Sequence, residues 1–247
     1  MNHRIFGSGD PVVFLHGFLE SVTMWDFLTT EELAAQCVLI DLPGHGGSTA
    51  LPEIASTRAM AEAVIETLQA LGISNYHLVG HSMGGYVALE IAKLTTEVRS
   101  VCLMNSSFWA DSPEKQKDRN RLIEVVKRSK DLFLHEAIPG LFVNPKREAA
   151  FIAALIEEAK GMTVDAIVYA TEAMRDRPDN EAVAVQLGAR LHLIQGEKDK
   201  VIPLELTGEK MAGKQAGWEV LPRVAHMSQV EAPEAVIRIL KDFYKGM

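Results

Sequence analysis

Short apolar runs alternate with longer stretches of helical periodicity along most of this chain. The runs predict strands over Val12–Leu15, Cys37–Ile40, Tyr76–Val79, Val98–Met104, Leu191–Gln195 and Trp218–Leu221. Between them, apolar residues at helical spacing predict helices over Thr57–Leu71, Met83–Leu94, Leu204–Lys214 and Pro233–Tyr244. Pro233 suits a first helical turn, because its missing N–H would have no partner there. Strands and helices in such alternation are the signature of a parallel sheet with crossover helices, an α/β architecture.

One interval breaks the rhythm. Between Met104 and Leu191 no strand pattern occurs, while helical patterns recur over Glu114–Arg128, Asp131–Ala137, Arg147–Lys160 and Val164–Met174. Pro139-Gly140 and Asn144-Pro145 punctuate them. This predicts an all-helical cap over residues 105–188, inserted between strands and seated at the carboxyl edge of the sheet, where open α/β sheets bind their ligands. No repeat or low-complexity tract interrupts the pattern, so residues 1–247 read as one domain with a lid.

Composition narrows the function. With 47% hydrophobic and 23% charged residues the chain resembles an ordinary soluble enzyme. A net charge of −8 with no basic tail or stripe argues against nucleic acid as a partner. The first residues lack the apolar run of a signal peptide, and no later run reaches membrane-spanning length. Cys37 and Cys102 both sit in apolar strand-like runs, which predicts buried free thiols and a cytoplasmic setting. No Cys/His cluster has metal-ligand spacing, and neither a P-loop nor a dinucleotide fingerprint is present, so no metal or cofactor is expected.

Chemistry concentrates at Gly80-His81-Ser82-Met83-Gly84-Gly85. A serine between glycines, at an abrupt change from strand to helix, is lifted clear of the sheet where a base can reach it. Serine is a poor nucleophile at neutral pH and needs that base, an acid to orient it, and donors for the developing oxyanion. His226 follows the run Trp218–Leu221 and precedes the last helix, which places it in a loop on the same sheet edge as Ser82. Gly196-Glu197-Lys198-Asp199 follows another strand, and Asp199, with Glu197 as its rival, is the candidate acid. His16-Gly17-Phe18 follows the strand Val12–Leu15, so the backbone amides of Phe18 and Met83 are the expected oxyanion donors.

Taken together, Phe14-Leu15-His16-Gly17-Phe18, Asp41-Leu42-Pro43-Gly44-His45-Gly46-Gly47-Ser48, Gly80–Gly85, Gly196–Asp199 and His226 resemble the α/β-hydrolase superfamily. The motifs span nearly the whole chain, and Ser82, Asp199, His226 follow that superfamily's chain order. The resemblance implies an α/β-hydrolase fold. The short stretch before Val12 leaves room for one edge strand where the full fold usually has two, so a sheet of about seven strands is expected. Substrate does not follow from the fold, which hosts many activities.

The expected reaction is hydrolysis of a small carboxylic ester through an acyl-enzyme, by a serine esterase that needs no cofactor. A thioesterase, C–C hydrolase or perhydrolase would use the same triad, and a hydrolase-like ligand receptor could retain it. Menaquinone-pathway synthases also resemble this chain, but they usually carry an arginine shortly after the serine, where this chain has Tyr86; the swap removes a bidentate carboxylate clamp. Phe108, Trp109 and Phe142 are the expected substrate-binding residues. They belong to a wider set, with Phe133, Leu141, Met162, Tyr169 and Met174, that must divide between packing the lid and lining an acyl pocket. His16, His45 and His81 read as loop-bracing hydrogen-bond partners. Lys115, Lys117, Arg119, Arg121, Lys127, Arg128 and Lys130 read either as a solvated helix face or as a surface for an anionic substrate or acidic carrier.

Overall fold

The apolar runs form the sheet. In the computed structural model, which describes residues 1–28 and 33–245, seven strands are present: β1 (His3–Gly7), β2 (Pro11–Leu15), β3 (Gln36–Ile40), β4 (Tyr76–His81), β5 (Val98–Met104), β6 (Leu191–Gly196) and β7 (Gly217–Leu221). Their order is β1-β3-β2-β4-β5-β6-β7. All neighbours pair in parallel except β1, which runs antiparallel to β3 in the register His3 to Ile40. The single edge strand expected before Val12 is thus β1.

Side chains alternate between the two faces, as the period of a strand requires. Val12 and Phe14 enter one apolar core with Cys37, Leu39, Val79 and Cys102; Val13 and Leu15 enter the other with Val38, Ile40, Leu78 and Val101. Helices α1 (Thr57–Ala70) and α2 (Met83–Leu94) pack together over the second face. Met60, Ala61, Val64 and Leu68 of α1 all lie below 2% exposure, a stripe at i, i+4 and i+8 that faces the sheet.

Between β5 and β6 every regular element is helical: α3 (Pro113–Arg128), α4 (Lys130–Ala137), α5 (Ala149–Lys160), α6 (Val164–Arg175) and α7 (Glu181–Leu187). Helix α3 packs along α6, and α4 contacts both α3 and α5. Ser112 and Thr163 cap α3 and α6 by accepting the amides of Lys115 and Ala166. Asn180 ties the segment to the sheet layer: its amide donates to the Phe108 carbonyl at 2.8 Å and its Nδ2 to Glu90 Oε1 of α2 at 2.9 Å. The sequence pattern gave no sign of α7, whose seven residues hold too few turns for a period.

After β6 come α8 (Leu204–Met211), the single turn α9 (Ser228–Glu231) and α10 (Pro233–Lys245). Helix α8 stops three residues before the periodicity does, because Gly213 takes φ +73° and turns the chain away. Val236, Ile237, Ile239 and Leu240 of α10 cover the first face of the sheet. Each such buried side chain contributes about 1.5–3 kcal/mol. Among the described residues, no helix is long and apolar enough to cross a membrane.

Candidate active site

Ser82 occupies the corner between β4 and α2 at φ 48°, ψ −114°. A residue other than glycine is strained there, by about 1–3 kcal/mol, and the surroundings hold it in place. Its amide donates to the Met104 carbonyl at 2.9 Å, and its carbonyl accepts from Ser106 Oγ at 2.6 Å. The corner is also tight: a side chain at position 84 would collide with the Leu15 carbonyl of β2, so only glycine lets α2 approach the sheet this closely.

Three elements then converge on the serine. His226 Nε2 lies 2.9 Å from Ser82 Oγ, and His226 Nδ1 lies 2.9 Å from Asp199 Oδ2. Asp199 comes from the loop after β6, and His226 from the loop between β7 and α9. All three are nearly closed off from solvent, at 8%, 4% and 5% exposure for Ser82, His226 and Asp199. Because Asp199 Oδ2 can only accept, the Nδ1 of His226 carries the proton and Nε2 faces the hydroxyl with its lone pair. Glu197, the rival acid, bonds instead with Lys198 and the Arg223 amide.

The Asp199 carboxylate is well supplied with donors. Oδ2 also accepts from Asn105 Nδ2 at 2.9 Å, and Oδ1 from the amides of Val201 and Ile202 at 2.8 and 3.0 Å. Burial pushes its pKa up. Electrostatic attraction to His226 and these hydrogen bonds outweigh that and hold it below the usual aspartate range. Asn105, at φ 47°, donates in addition to the Ala225 carbonyl at 2.9 Å and so fixes the His226 loop as well. Sequence reading missed it; its only signal was a lone polar residue directly after the apolar run Val98–Met104.

Glu20 was missed too. Its Oε2 accepts from the Gly17 amide at 2.7 Å and meets His81 Nδ1 at 2.9 Å, and His81 Nε2 donates to the His226 carbonyl at 2.9 Å. Both side chains are buried, at 0% for His81 and 2% for Glu20. Burial opposes charge on each, but their mutual attraction and hydrogen bonding win, lowering the Glu20 pKa and raising that of His81. This ion pair joins the Gly17–Phe18 loop to the loop bearing His226. Since Gly17's amide is engaged by Glu20, the next amide, that of Phe18, is the loop's candidate oxyanion donor, with that of Met83 at the start of α2 as the other candidate. His16 donates from Nδ1 to the Gly17 carbonyl and accepts the Leu42 amide at Nε2; His45 bonds the Pro43 carbonyl. Burial lowers the pKa of both, that of His45 to about 3.

A cavity of about 210 Å³ opens onto Ser82 and His226. The helical segment walls it with Leu122, Phe133, Ile138, Leu141 and Met174, and the Leu141 carbonyl accepts the His226 amide at 3.0 Å. The aromatic residues singled out from sequence fall elsewhere. Phe108 is buried in the second core and stacked edge-on against Trp109; Phe142 packs against Phe151 in the first core. Trp109 lines a neighbouring cavity of about 420 Å³. Apolar residues of this helical segment look alike in sequence whether they pack or line, and Phe133, Leu141 and Met174 are the ones that line the cavity over Ser82. Tyr86 carries the Arg177 guanidinium 4.0 Å above its ring. Among the described residues, no group of three or more metal-binding side chains is assembled.

The model of the alpha/beta hydrolase family matches residues 12–239. The chain belongs to that family. Among alpha/beta hydrolases of known structure, it superposes on a malate-bound thermophilic esterase from Thermogutta terrifontis with a TM-score of 0.90 and 27% identity, over 99% of this chain and 93% of that one. It is 26% identical to the 2-succinyl-6-hydroxy-2,4-cyclohexadiene-1-carboxylate synthase of Escherichia coli K12, over 93% of this chain and 91% of the synthase. It is 30% identical to the dihydrolipoyllysine-residue acetyltransferase component of the acetoin cleaving system of Pseudomonas putida, over 92% of this chain. This alpha/beta hydrolase chain spans only 61% of that component's length, and 65% of the corresponding component of Cupriavidus necator.

Proposed function

We propose that this protein is a serine hydrolase of small carboxylic esters, with Ser82 as nucleophile, His226 as general base and acid, and Asp199 as the group that orients and stabilises the imidazole. The observation that carries this reading is the unbroken hydrogen-bonded line from Asp199 Oδ2 through His226 to Ser82 Oγ, with both links at 2.9 Å. In the first half-reaction His226 Nε2 takes the Ser82 proton as Oγ attacks the carbonyl, and the carbonyl oxygen becomes an oxyanion held by the Phe18 and Met83 amides. The imidazolium, steadied by Asp199, then protonates the departing alcohol. Water repeats the sequence on the acyl-serine and releases the acid. Each oxyanion donor accounts for roughly 100- to 1,000-fold in rate.

Residues 105–188 act as the cap in this reading, and the size of the cavity they close limits the substrate. At about 210 Å³ the part directly over Ser82 lies below the roughly 300–1,000 Å³ of sites for drug-sized ligands, so it seats only a short stretch of substrate beside the reacting carbonyl. The likeness to the thermophilic esterase supports ester chemistry. The full-length likeness to the cyclohexadiene carboxylate synthase favours a second reading, in which the same His226–Ser82 pair abstracts a proton and drives an elimination.

The test is hydrolysis of 4-nitrophenyl esters and acyl-thioesters of graded chain length by wild type and by Ser82→Ala. Rates that fall to background in the variant are expected. Equal turnover by both proteins would overturn the hydrolase reading.

A further inference from the structure

The 420 Å³ cavity beside the site is not a separate feature, since Lys115, Arg119 and Val201 line both it and the cavity over Ser82. Lys115 and Arg119 lie one helical turn apart on α3 and therefore share a face. Leu122, three residues further on, continues that face into the inner cavity. The basic run on α3 thus divides. Lys117, Arg121, Lys127 and Arg128 are exposed, and Lys115 and Arg119 turn inward.

The charge of the outer cavity is lopsided. Lys115, Arg119, Arg177, Lys200 and Lys210 line it against only Asp111 and Asp179, in a chain whose net charge is −8. Asp111 is already shared: Oδ2 accepts from Arg119 Nε at 3.1 Å and Oδ1 from Arg177 Nη1 at 2.6 Å. One carboxylate therefore faces two guanidinium groups. Among the described residues, Lys115 makes no ion pair, and burial, followed by the charge of Arg119, holds its ammonium below the ordinary lysine value. Arg177 sits over the Tyr86 ring, and its Nε is buried without a partner, as is Ser107 Oγ in the same wall. Buried donors left open in a cationic pocket are what an anionic ligand completes.

We propose that the outer cavity receives a carboxylate or phosphate carried by the substrate on a short tether, with Lys115 and Arg119 making the first contacts at the junction of the two cavities. This rests on the hydrolase reading above and extends it by naming the substrate class as anionic esters or thioesters.

Matched pairs of esters test it. The 4-nitrophenyl hemiester of adipic acid against its methyl-capped diester places the charge on the acyl side; 4-acetoxybenzoate against its methyl ester places it on the alcohol side. Wild type should prefer the anionic member of one pair by roughly tenfold or more in kcat/KM, and Lys115→Gln should erase most of that ratio. Added adipate or inorganic phosphate, as competing inhibitors, distinguishes a carboxylate from a phosphate site. If neutral esters are hydrolysed while neither anion is preferred and Lys115→Gln leaves both ratios unchanged, the anion site is refuted and the hydrolase reading stands. If Ser82→Ala matches wild type, that reading fails instead. The anion site is then judged by calorimetric titration of wild type with adipamic acid and adipamide, which carry no ester. Tighter binding of the acid, lost in Lys115→Gln, supports the site; equal affinities overturn it.

Discussion

Replacing Glu20 by glutamine changes one atom and removes a charge, yet it forces a choice that the structure cannot satisfy. Glu20 Oε2 accepts two donors, the Gly17 amide and His81 Nδ1, while His81 Nε2 must keep its proton to serve the His226 carbonyl. If the glutamine oxygen takes that position, it still accepts both donors, but His81 must remain a cation with its counter-charge gone. If the glutamine nitrogen takes it, neutral His81 is served and the Gly17 amide faces another donor. The second choice costs about 1–3 kcal/mol for an unsatisfied buried group; the first approaches the roughly 3–5 kcal/mol of a broken buried pair. The cheaper route should prevail, so a loss of about 1–3 kcal/mol is expected.

The pH dependence of that loss follows from the two shifts. Glu20's folded pKa is depressed, so its contribution is complete above the reference value of 4.5 and fades as pH falls through the folded value. His81's is raised, so its contribution is complete below 6.5 and fades as pH rises through the folded value. Wild type should therefore exceed Glu20→Gln in stability most between 4.5 and 6.5, with the gap narrowing on both sides. Urea unfolding of the two proteins across that range measures it. Because the Gly17–Phe18 loop loses its anchor, ester turnover should fall as well. Coincident unfolding curves at every pH, with unchanged turnover, would refute the reasoning.

Other expectations are simpler to state. Asp199→Asn should lower kcat by about 10,000-fold through loss of the correct imidazole tautomer; a drop of less than tenfold in 4-nitrophenyl acetate hydrolysis would remove Asp199 from its role. Gly84→Ala should cost at least about 1–3 kcal/mol, because the new methyl meets the Leu15 carbonyl of a central strand; an unchanged Tm would count against the tight corner. Burial pushes the Cys37 thiol up to about 11 and the Cys102 thiol higher still. Neither should react with a thiol reagent in the native protein, and both should react in urea; fast labelling of the folded chain would contradict this.

Much of the molecule was legible because its period is strong. Val98–Met104 and Met83–Leu94 coincide with their predicted bounds, since apolar runs and helical stripes are repeated signals. Ser82, Asp199 and His226 were found as a pattern spread over three sheet-edge loops, and the folded chain brings their side chains together. What escaped were solitary contributions. Glu20 and Asn105 act through hydrogen bonds to distant loops, and nothing local marks a polar residue that will be buried by partners 61 and 94 positions away. The pairing of β1 with β3 rather than β2 escaped for a related reason, because alternation reveals a strand and not its neighbour. Phe108 and Phe142 were put at the substrate because hydrophobicity cannot tell a wall from a filling.

The twisted corner at residue 82 has an evolutionary corollary. Glycine adopts its backbone angles without penalty, so the polypeptide as a mere scaffold would gain stability from losing this side chain. Selection for foldedness alone pushes toward glycine here; a hydroxyl that persists is held by its usefulness. A lineage released from that usefulness would have a downhill, single-substitution route to an inert and sturdier protein.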